Sequence, residues 1–427
     1  MTNQAGNVEV EQVEMAVMHR FAAQVMQRCD ELAACTETPG QLTRRFCTPA
    51  MKAAHEKVRA WFEAAGMTCR LDAAGNLIGR WDAGAALGTG ATKSLLIGSH
   101  LDTVANAGRY DGMLGVLLGL ALVELLAESG KRLPFAVDVI GFSEEEGVRH
   151  RSPYIGSRAL IGDLPAELLI KQDDDGVSVG EALTAFGCDL SQIGAAEYRA
   201  EDVVAYVEPH IEQGPVLETA GLPLGIVTGI AGQTRAQFQF VGKAGHAGTA
   251  PMNNRQDALA AAAQFIGQVE QFARGRAGLT ATVGQIEVSP NVANVIPGEV
   301  QLSLDVRHLD DEARDAAFRE LTHQAALIAE QREIEFDLIL AQHHSAVRCD
   351  AAMSDRLREA VVAAGVKPMD LASGAGHDAV MMARRFPAAM LFVRCAGGIS
   401  HHPDESVTEA DVAVALEVLW RFVMRLR

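Results

Sequence analysis

The sequence has no apolar run long enough to cross a membrane. The longest one, Met113 to Leu126, is interrupted by Glu124 and is shorter than the roughly 18 residues that a spanning helix needs. We therefore expect a buried helix in this segment. The amino-terminal residues carry acidic side chains and no apolar segment, so we expect no secretory peptide.

Cysteine is sparse, and positive charge is in deficit. The seven cysteines include no Cys-x-x-Cys pair, and their odd number leaves no complete set of disulfides, which predicts a reduced, cytoplasmic protein. Cys188 and Cys395 have no neighbouring histidine, so we expect no catalytic cysteine. A formal charge of -18 argues against nucleic acid or an anionic membrane as a partner. An anionic substrate would therefore need a local basic clamp.

The chain is long enough for two domains, because 48% of its 427 residues are apolar. Strand and helix patterns alternate in residues 1–222 and 343–427, which predicts an α/β domain with a mixed, mostly parallel sheet flanked by helices. Residues 223–342 follow the order β-α-β-β-α-β, in which we take Leu279 to Val288 as a single strand. That order predicts an inserted α+β domain of ferredoxin-like fold.

Four smaller features have clear local signals. Residues 68–81 predict a hairpin that turns at Gly75-Asn76, and Val13 to Ala34 has helical spacing. Residues 82–92 form a Gly/Ala-rich segment that predicts a surface loop. Ser178-x-x-Glu181 predicts a capped helix start. The acidic run Asp173-Asp174-Asp175 could be taken for a calcium site, but we interpret it as a solvated turn.

Ionisable side chains follow four apolar runs, each of which predicts a short strand. Ser94 to Ile97 leads to His100, Asp102 and Asp111, and the other three runs, Phe135–Phe142, Val203–Val207 and Met390–Val393, lead to Glu144-Glu145-Glu146, to His210 and to His401. Ligands collect at the carboxyl ends of parallel strands, so we expect these groups to lie together. Three imidazoles and several carboxylates suit a pair of divalent ions that share one carboxylate.

Several short stretches follow one another in an order shared with a known family. They are Gly98-Ser-His-Leu-Asp-Thr103, Asp111-Gly112, Glu144-Glu-Glu-Gly147, His210-Ile-Glu-Gln-Gly214, Gly245-His-Ala-Gly-Thr249, Asn294-Val-Ile-Pro297, Asp305-Val-Arg-His308, Ser373-Gly-Ala-Gly-His-Asp378 and Gly398-Ile-Ser-His401. In these stretches the chain resembles the amidase, hydantoinase/carbamoylase branch of the M20 dinuclear-metal hydrolases. Each stretch alone would be weak, but together they are highly specific. His150, Ala250 and His402 depart from residues common in that family, and none of the three replaces a reactive group.

The resemblance implies a ligand set for two divalent metal ions. Asp111 would bridge them, with His100 and His210 completing one ion's ligands and Glu146 and His401 the other's. Asp102 would accept the second ring N–H of His100 and fix its tautomer, or else cap the strand end. Zinc suits these ligands best, while manganese, cobalt and nickel also fit.

The resemblance also assigns the general base. The family pattern places the ligand directly before the glycine, which makes Glu146 the ligand and Glu145 the base, with Glu144 outside the chemistry. Two cations lower the pKa of a bridging water, so Glu145 need only take its proton and deliver it to the leaving nitrogen. A shift of one residue within the triplet is the alternative.

Substrate contacts follow from the same comparison. Arg307 would pair bidentately with a substrate carboxylate, unless it is an ordinary surface arginine. His246 would polarise the scissile carbonyl from the partner subunit of a homodimer. Further matching positions are Gln213, Asn294, Gly376 and His377, and the last of these could instead support its loop. Residues 223–342 would serve as the lid and dimerisation domain of a catalytic domain formed by residues 1–222 and 343–427.

The activity implied is hydrolysis of the ureido C–N bond of a linear N-carbamoyl or ureido acid, with release of ammonia and carbon dioxide. Residues 106–112 and 394–399 most resemble allantoate amidohydrolases, so allantoate is the first substrate we expect. N-carbamoyl-L-amino acids and β-ureidopropionate are the alternatives. A peptidase or deacylase is disfavoured because such relatives have an acidic residue at the position of His210. A non-catalytic binding paralogue is disfavoured because every catalytic position is filled.

Overall fold

The structure is a computed structural model that describes residues 14–82 and 93–426. The amino-terminal segment considered for a signal, the first residue of the predicted helix at Val13, and all of the predicted loop at 82–92 except Asp82 lie outside this range. Among the described residues, no helix is both long and apolar enough to span a bilayer. The chain divides into two compact units, one of Met1–Thr228 with Cys349–Arg427 and one of Gly229–Arg348.

The helices and the strands of the described residues are numbered separately, each in chain order. The helices are α1 (Met15–Ala33), α2 (Pro49–Ala64), α3 (Met113–Glu128), α4 (Ile155–Leu160), α5 (Ala166–Leu169), α6 (Val179–Phe186), α7 (Val216–Ala220), α8 (Ala258–Arg274), α9 (Asp311–Gln331), α10 (Ala351–Ala363), α11 (Ala379–Met382) and α12 (Glu409–Arg425). The strands are β1 (Thr68–Leu71), β2 (Leu77–Trp81), β3 (Ser94–His100), β4 (Ala136–Phe142), β5 (Val203–Ile211), β6 (Leu224–Ile230), β7 (Gly232–Val241), β8 (Gly245–His246), β9 (Thr280–Thr282), β10 (Ile286–Ser289), β11 (Val295–Ile296), β12 (Glu299–His308), β13 (Glu335–His344), β14 (Val347–Arg348), β15 (Asp370–Ser373) and β16 (Ala388–Val393).

The first unit is built on a mixed sheet with the strand order β1-β2-β4-β3-β5-β16-β6, and β15 pairs with β6. The pairs β4–β3, β3–β5 and β5–β16 are parallel, whereas β1–β2, β2–β4 and β16–β6 are antiparallel. The centre of the sheet is therefore parallel, as the strand and helix alternation predicts. Because β6 pairs with β16, the second unit begins at Gly229 rather than at residue 223.

The helix α3 is buried along most of its length. It is apolar on all sides, so it can only be stable inside the protein, and its residues from Met113 to Val123 are all buried. The helices α1 and α12 pack against it with their apolar faces. Glu124, which interrupts the apolar run, pairs with Arg28 of α1 at 2.7 Å. A charge in this segment is thus neutralised by the helix that covers it.

Three local predictions are confirmed. The β1–β2 hairpin turns through Gly75, whose φ of +84° lies in the left-handed region that favours glycine. The helix α6 begins with a reciprocal capping box between Ser178 and Glu181. Asp173 accepts the backbone N–H groups of Asp175 and Val177, so the acidic run forms a turn.

The second unit has an antiparallel sheet with the order β10-β12-β7-β13, and β9 also pairs with β12. Helices α8 and α9 cover the face that carries Phe238, Phe240 and Leu304. The single strand expected from Leu279 to Val288 was wrong, because it is broken into β9 and β10. The break occurs where Gln285 exchanges hydrogen bonds with Ser303 of β12, through the serine side chain and backbone.

Candidate metal centre

Five predicted metal ligands lie at one end of the parallel strands. His100 is the last residue of β3, Asp111 precedes α3, Glu146 follows β4, His210 lies inside β5, and His401 follows β16. They meet because the carboxyl ends of neighbouring parallel strands share one edge of the sheet. The strand β5 continues beyond the predicted end at Val207, so His210 is held by the sheet itself.

Gly112 leaves room for the His100 ring to lie close to Asp111, the predicted bridging ligand. It has a φ of +69°, and a Cβ atom there would lie 2.5 Å from the His100 ring. No other residue could take this backbone conformation without displacing the imidazole. The match of Asp111-Gly112 to the family therefore has a steric reason here.

The Asp111 carboxylate is at the centre of the cluster. Its Oδ1 lies 3.2 Å from His210 Nε2 and 3.8 Å from His100 Nε2. Its Oδ2 lies 3.1 Å from His401 Nε2, which in turn lies 3.5 Å from Glu146 Oε1. Two groups of possible ligands result, His100 with Asp111 and His210, and Asp111 with Glu146 and His401. The two groups share Asp111.

This donor set fits divalent cations. Ligands that bind one ion at about 2.0–2.1 Å with tetrahedral geometry lie about 3.3 Å apart, and the spacings around Asp111 are close to that value. His210 Nε2 is buried and has no hydrogen-bond partner, although it lies 3.2 Å from Asp111 Oδ1. Such an orphaned nitrogen would be costly unless it bound something else. Imidazole and carboxylate are both common zinc ligands.

Charge in the cluster is unevenly distributed. Burial alone would raise the pKa of Asp111, but the neighbouring imidazoles of His100, His210 and His401 lower that pKa well below its ordinary value. The hydrogen bond to Asp111 raises the pKa of His401 to about 9. Burial, with the charge of Asp111 added, raises the pKa of Glu146 to about 7. Asp111 is thus held ionised, and Glu146 and His401 must release the protons that these shifts favour before they bind a cation.

Glu145 lies beside the ligands. Its side chain forms a third group with His100 and Glu146, in which one ligand atom of each residue lies within 4.8 Å of the others. It is buried, and burial raises its pKa well above the ordinary value of a glutamate. The raised pKa makes the Glu145 carboxylate a better proton acceptor, as a general base requires.

Asp102 has a different partner from the one expected. The His100 ring nitrogen Nδ1 lies 2.9 Å from the backbone carbonyl of Asp102, whereas the Asp102 carboxylate is 3.6 Å away. The carboxylate accepts instead the backbone N–H groups of Glu145 and Glu146, both at 3.1 Å. The main chain therefore fixes the tautomer of His100, while the side chain orients the base and the neighbouring ligand.

Three predicted substrate contacts lie in the same unit as the metal ligands. Gln213 Nε2 lies 3.2 Å from both oxygens of Asp111. His377 Nε2 lies 2.8 Å from Ser373 Oγ, and its ring packs against His210 at 4.4 Å between centroids. Gly376 lies directly before His377, in the turn that the contact between Ser373 and His377 closes. His377 thus supports its loop, which is the alternative considered for it, and it also touches a metal ligand.

The other three predicted substrate residues belong to the second unit. His246 and Asn294 are neighbours, because β8 pairs with β11 and Ala247 donates its N–H to the Asn294 carbonyl at 2.9 Å. Arg307 lies on β12 and donates from Nε and Nη2 to the two oxygens of Asp305, at 2.8 and 3.0 Å. Asp305 thereby holds the guanidinium in one orientation.

Two carboxylates that support the centre were not predicted from the sequence. Glu208 is fully buried and accepts from Ser99, Tyr206 and the backbone of Ala379, which ties β3, β5 and α11 together. Glu405 is also buried, and it accepts the backbone N–H of Asp111. The only signal was position, since Glu208 lies two residues before one ligand and Glu405 four residues after another.

The chain is similar to known proteins over most of its length. The family model described as Peptidase family M20/M25/M40 matches residues 96–425. An N-carbamoyl-L-amino acid amidohydrolase from Geobacillus stearothermophilus is 42% identical over 402 residues, which cover 94% of this chain and 97% of the relative. A probable allantoate deiminase from Oryza sativa subsp. japonica is 38% identical over 432 residues, which cover 93% and 87%.

Solved structures give the same result. The crystal structure of a hydantoinase/carbamoylase family amidase from Burkholderia ambifaria superposes with a TM-score of 0.87 at 35% identity, covering 95% of this chain and 97% of that one. A family model that spans most of the chain, relatives matched over nearly their full length and a shared fold all agree. The chain belongs to the peptidase family M20/M25/M40.

Proposed function

We propose that the protein is a metal-dependent hydrolase that cleaves the ureido C–N bond of a linear N-carbamoyl or ureido acid. The observation that carries the proposal is the pair of ligand groups that share Asp111, with His210 as a ligand. An acidic residue at that position would have favoured a peptidase. The relatives named N-carbamoyl-L-amino acid amidohydrolase and allantoate deiminase support an enzyme that acts on C–N bonds other than peptide bonds.

The metal would be held by residues of the first unit. His100, Asp111 and His210 would bind one divalent cation, and Asp111, Glu146 and His401 the other. When bound, the two cations would supply Lewis acidity, which lowers the pKa of a water molecule and polarises a carbonyl oxygen. Zinc is our first choice, while manganese, cobalt or nickel would also suit imidazole and carboxylate ligands.

We assign the proton transfer to Glu145. It takes a proton from the attacking water and delivers it to the leaving nitrogen, while a C–O bond forms and the C–N bond breaks. The carbamate left behind decomposes, so the ureido acid and water yield the free amine, ammonia and carbon dioxide. Asp102 supports this step by holding the backbone N–H groups of Glu145 and Glu146.

We assign substrate recognition to six of the predicted residues. Arg307 would bind the substrate carboxylate, and its ion pair with Asp305 supports this role because a pre-oriented guanidinium recognises a carboxylate bidentately. His246 would stabilise the developing oxyanion, with Asn294 beside it. The remaining contacts would come from Gln213, Gly376 and His377.

We further propose that the second unit is a ferredoxin-like lid and dimerisation domain. Its strand order, with β7 and β12 in the centre and β10 and β13 outside, supports this fold. Among the described residues, β13 pairs only with β7 in this sheet, and its residues Leu338, Ile339 and Leu340 are 42 to 48% exposed. A second copy of the chain could cover this apolar edge. In such a homodimer, His246 would act from the partner subunit.

One activity screen can identify the substrate among the candidate ureido acids. Metal-reconstituted protein should be incubated with allantoate, N-carbamoyl-L-amino acids, β-ureidopropionate and dipeptides, with ammonia release and new amines both measured. We expect ammonia from one or more of the ureido acids, with allantoate first, and no cleavage of dipeptides. Activity confined to dipeptides would contradict the proposal and favour a peptidase.

A further inference from the structure

Glu405 connects the two loops that carry Asp111 and His401. Its side chain is buried, with 2% of the residue exposed. Oε1 accepts the backbone N–H groups of Tyr110 at 2.8 Å and of Asp111 at 3.0 Å. Oε2 lies 3.1 Å from the hydroxyl of Ser400, the residue directly before His401. A single carboxylate therefore holds both loops in register behind the bridging position.

Gly108 makes room for this carboxylate. A Cβ atom at Gly108 would lie 2.3 Å from Glu405 Cδ and 2.4 Å from its Oε1. These distances are far below van der Waals contact, so any larger residue would displace the Glu405 carboxylate. The close packing of Gly108 on Glu405 means that the position of the carboxylate is tightly determined.

The Ser400 hydroxyl has a choice of acceptors. Its Oγ lies 3.1 Å from Glu405 Oε2 and 3.4 Å from Asp111 Oδ2, while it accepts from Gln213 Nε2 at 3.1 Å. A hydroxyl has one proton to donate, and the closer carboxylate oxygen takes it. The capacity of Asp111 Oδ2 that Gln213 Nε2 does not use is then left for His401 and for a cation.

We propose that Glu405 is a positioning residue that keeps Asp111 Oδ2 available to a divalent cation. It does so by fixing the Asp111 backbone and by directing the Ser400 proton away from Asp111. This inference rests on the proposed metal centre. In Glu405→Gln the amide oxygen would still accept both backbone N–H groups, but the NH₂ group would face Ser400 as a donor. Ser400 would then turn its own proton towards Asp111 Oδ2.

The experiment measures Zn²⁺ affinity of the full-length chain by competition with a chromophoric chelator. We expect Glu405→Gln to weaken zinc binding by about 10- to 100-fold, the usual effect of losing an outer partner of a metal ligand. In the double variant Glu405→Gln with Ser400→Ala, the competing hydroxyl is gone, and most of the affinity should return. A purely structural role of Glu405 would make the double variant at least as weak as the single one.

Two further variants keep the test decisive. Glu417→Gln removes another buried glutamate, one that pairs with Arg421 on α12, and should leave zinc affinity unchanged. Gly108→Ala displaces the Glu405 carboxylate without removing it and should reproduce the loss, which decides the matter if Glu405→Gln does not fold. Wild-type affinity in Glu405→Gln, or no recovery in the double variant, would overturn the inference. Failure of the wild-type chain to bind zinc would instead overturn the proposed metal centre.

Discussion

His210 Nε2 lies 3.2 Å from Asp111 Oδ1 without a hydrogen bond between them. Both residues are buried, and Asp111 Oδ1 accepts from Gln213 Nε2 at 3.2 Å, whereas His210 Nε2 has no hydrogen-bond partner. Two ligand atoms at this distance, with no hydrogen bond between them, fit a single cation that both atoms bind. The missing hydrogen bond between His210 and Asp111 therefore supports a metal ion at this position.

The first prediction concerns metal content. His210→Ala should bind about one divalent cation fewer per chain than the wild type, because one ion loses a protein ligand while the other keeps Glu146 and His401. The measurement is the zinc-to-protein ratio after dialysis against a weak chelator. His19→Ala is the control, since His19 is an exposed residue that contacts Glu409. Equal ratios in His210→Ala and the wild type would refute the assignment.

The second prediction separates catalysis from metal binding. Glu145→Gln should keep both cations but lose about 10²- to 10⁴-fold in kcat, the range expected when a general base is removed. Its amide can still fill the space of the carboxylate but cannot accept a proton. The check is a rate assay on metal-loaded protein together with metal analysis. Unchanged turnover would rule out Glu145 as the base.

The third prediction tests substrate recognition in the second unit. Arg307→Lys keeps the positive charge but loses the planar fork, so KM for a ureido acid should rise about tenfold, which corresponds to about 1.4 kcal/mol. Arg235→Lys is a matched control, because Arg235 also pairs with Asp305 but is 62% exposed. A similar rise in KM for both variants would mean that the role of Arg307 is to pair with Asp305 and not to bind a substrate carboxylate.

The fourth prediction concerns stability and pH. Burial lowers the pKa of His55 to about 3, so this histidine is neutral in the folded protein, whereas its pKa in the unfolded chain is about 6.5. A lowered histidine pKa stabilises the fold above the unfolded value, and that contribution is lost as the pH falls below about 6.5 towards 3. The free energy of unfolding should therefore drop by about 2 kcal/mol between pH 7 and pH 5 on account of His55.

Urea unfolding at the two pH values measures this drop. His55→Leu should show a smaller drop than the wild type, because leucine cannot take up a proton. The substitution breaks no hydrogen bond, since neither ring nitrogen of His55 has a partner. His19→Leu, at an exposed site, should keep the wild-type pH dependence. The same drop in His55→Leu and the wild type would show that other groups cause it.

The fifth prediction concerns the edge strand β13. Ile339→Lys places a charge among the exposed apolar residues of that edge and should shift a dimer towards monomer. Light scattering coupled to size-exclusion chromatography measures the change. Val362→Lys is the control, because Val362 is also an exposed apolar residue but lies on α10 of the first unit. A wild-type monomer, or an unaffected dimer in Ile339→Lys, would contradict dimerisation through this edge.

Periodic patterns predicted most elements of the fold, and their failures have local causes. The helix α3 and the capped start of α6 were recognised because the signal lies within the segment itself. The strand β5 was predicted too short because Glu208 and His210 interrupt its apolar pattern, although both are buried. Residues 224–227 were predicted to belong to the inserted domain, but they pair with β16 in the first unit, since an apolar run does not indicate which neighbour it pairs with.

The amino-acid sequence by itself determined which groups can do chemistry here, because the types of ligand and their positions after apolar runs are local properties. Only the tertiary structure decided how these groups are held. Asp102 orients Glu145 through a backbone N–H, and Glu405 holds Asp111 in the same way. Every residue except proline carries that N–H, so such a contact leaves no trace in the order of side chains and becomes visible only when distant segments meet.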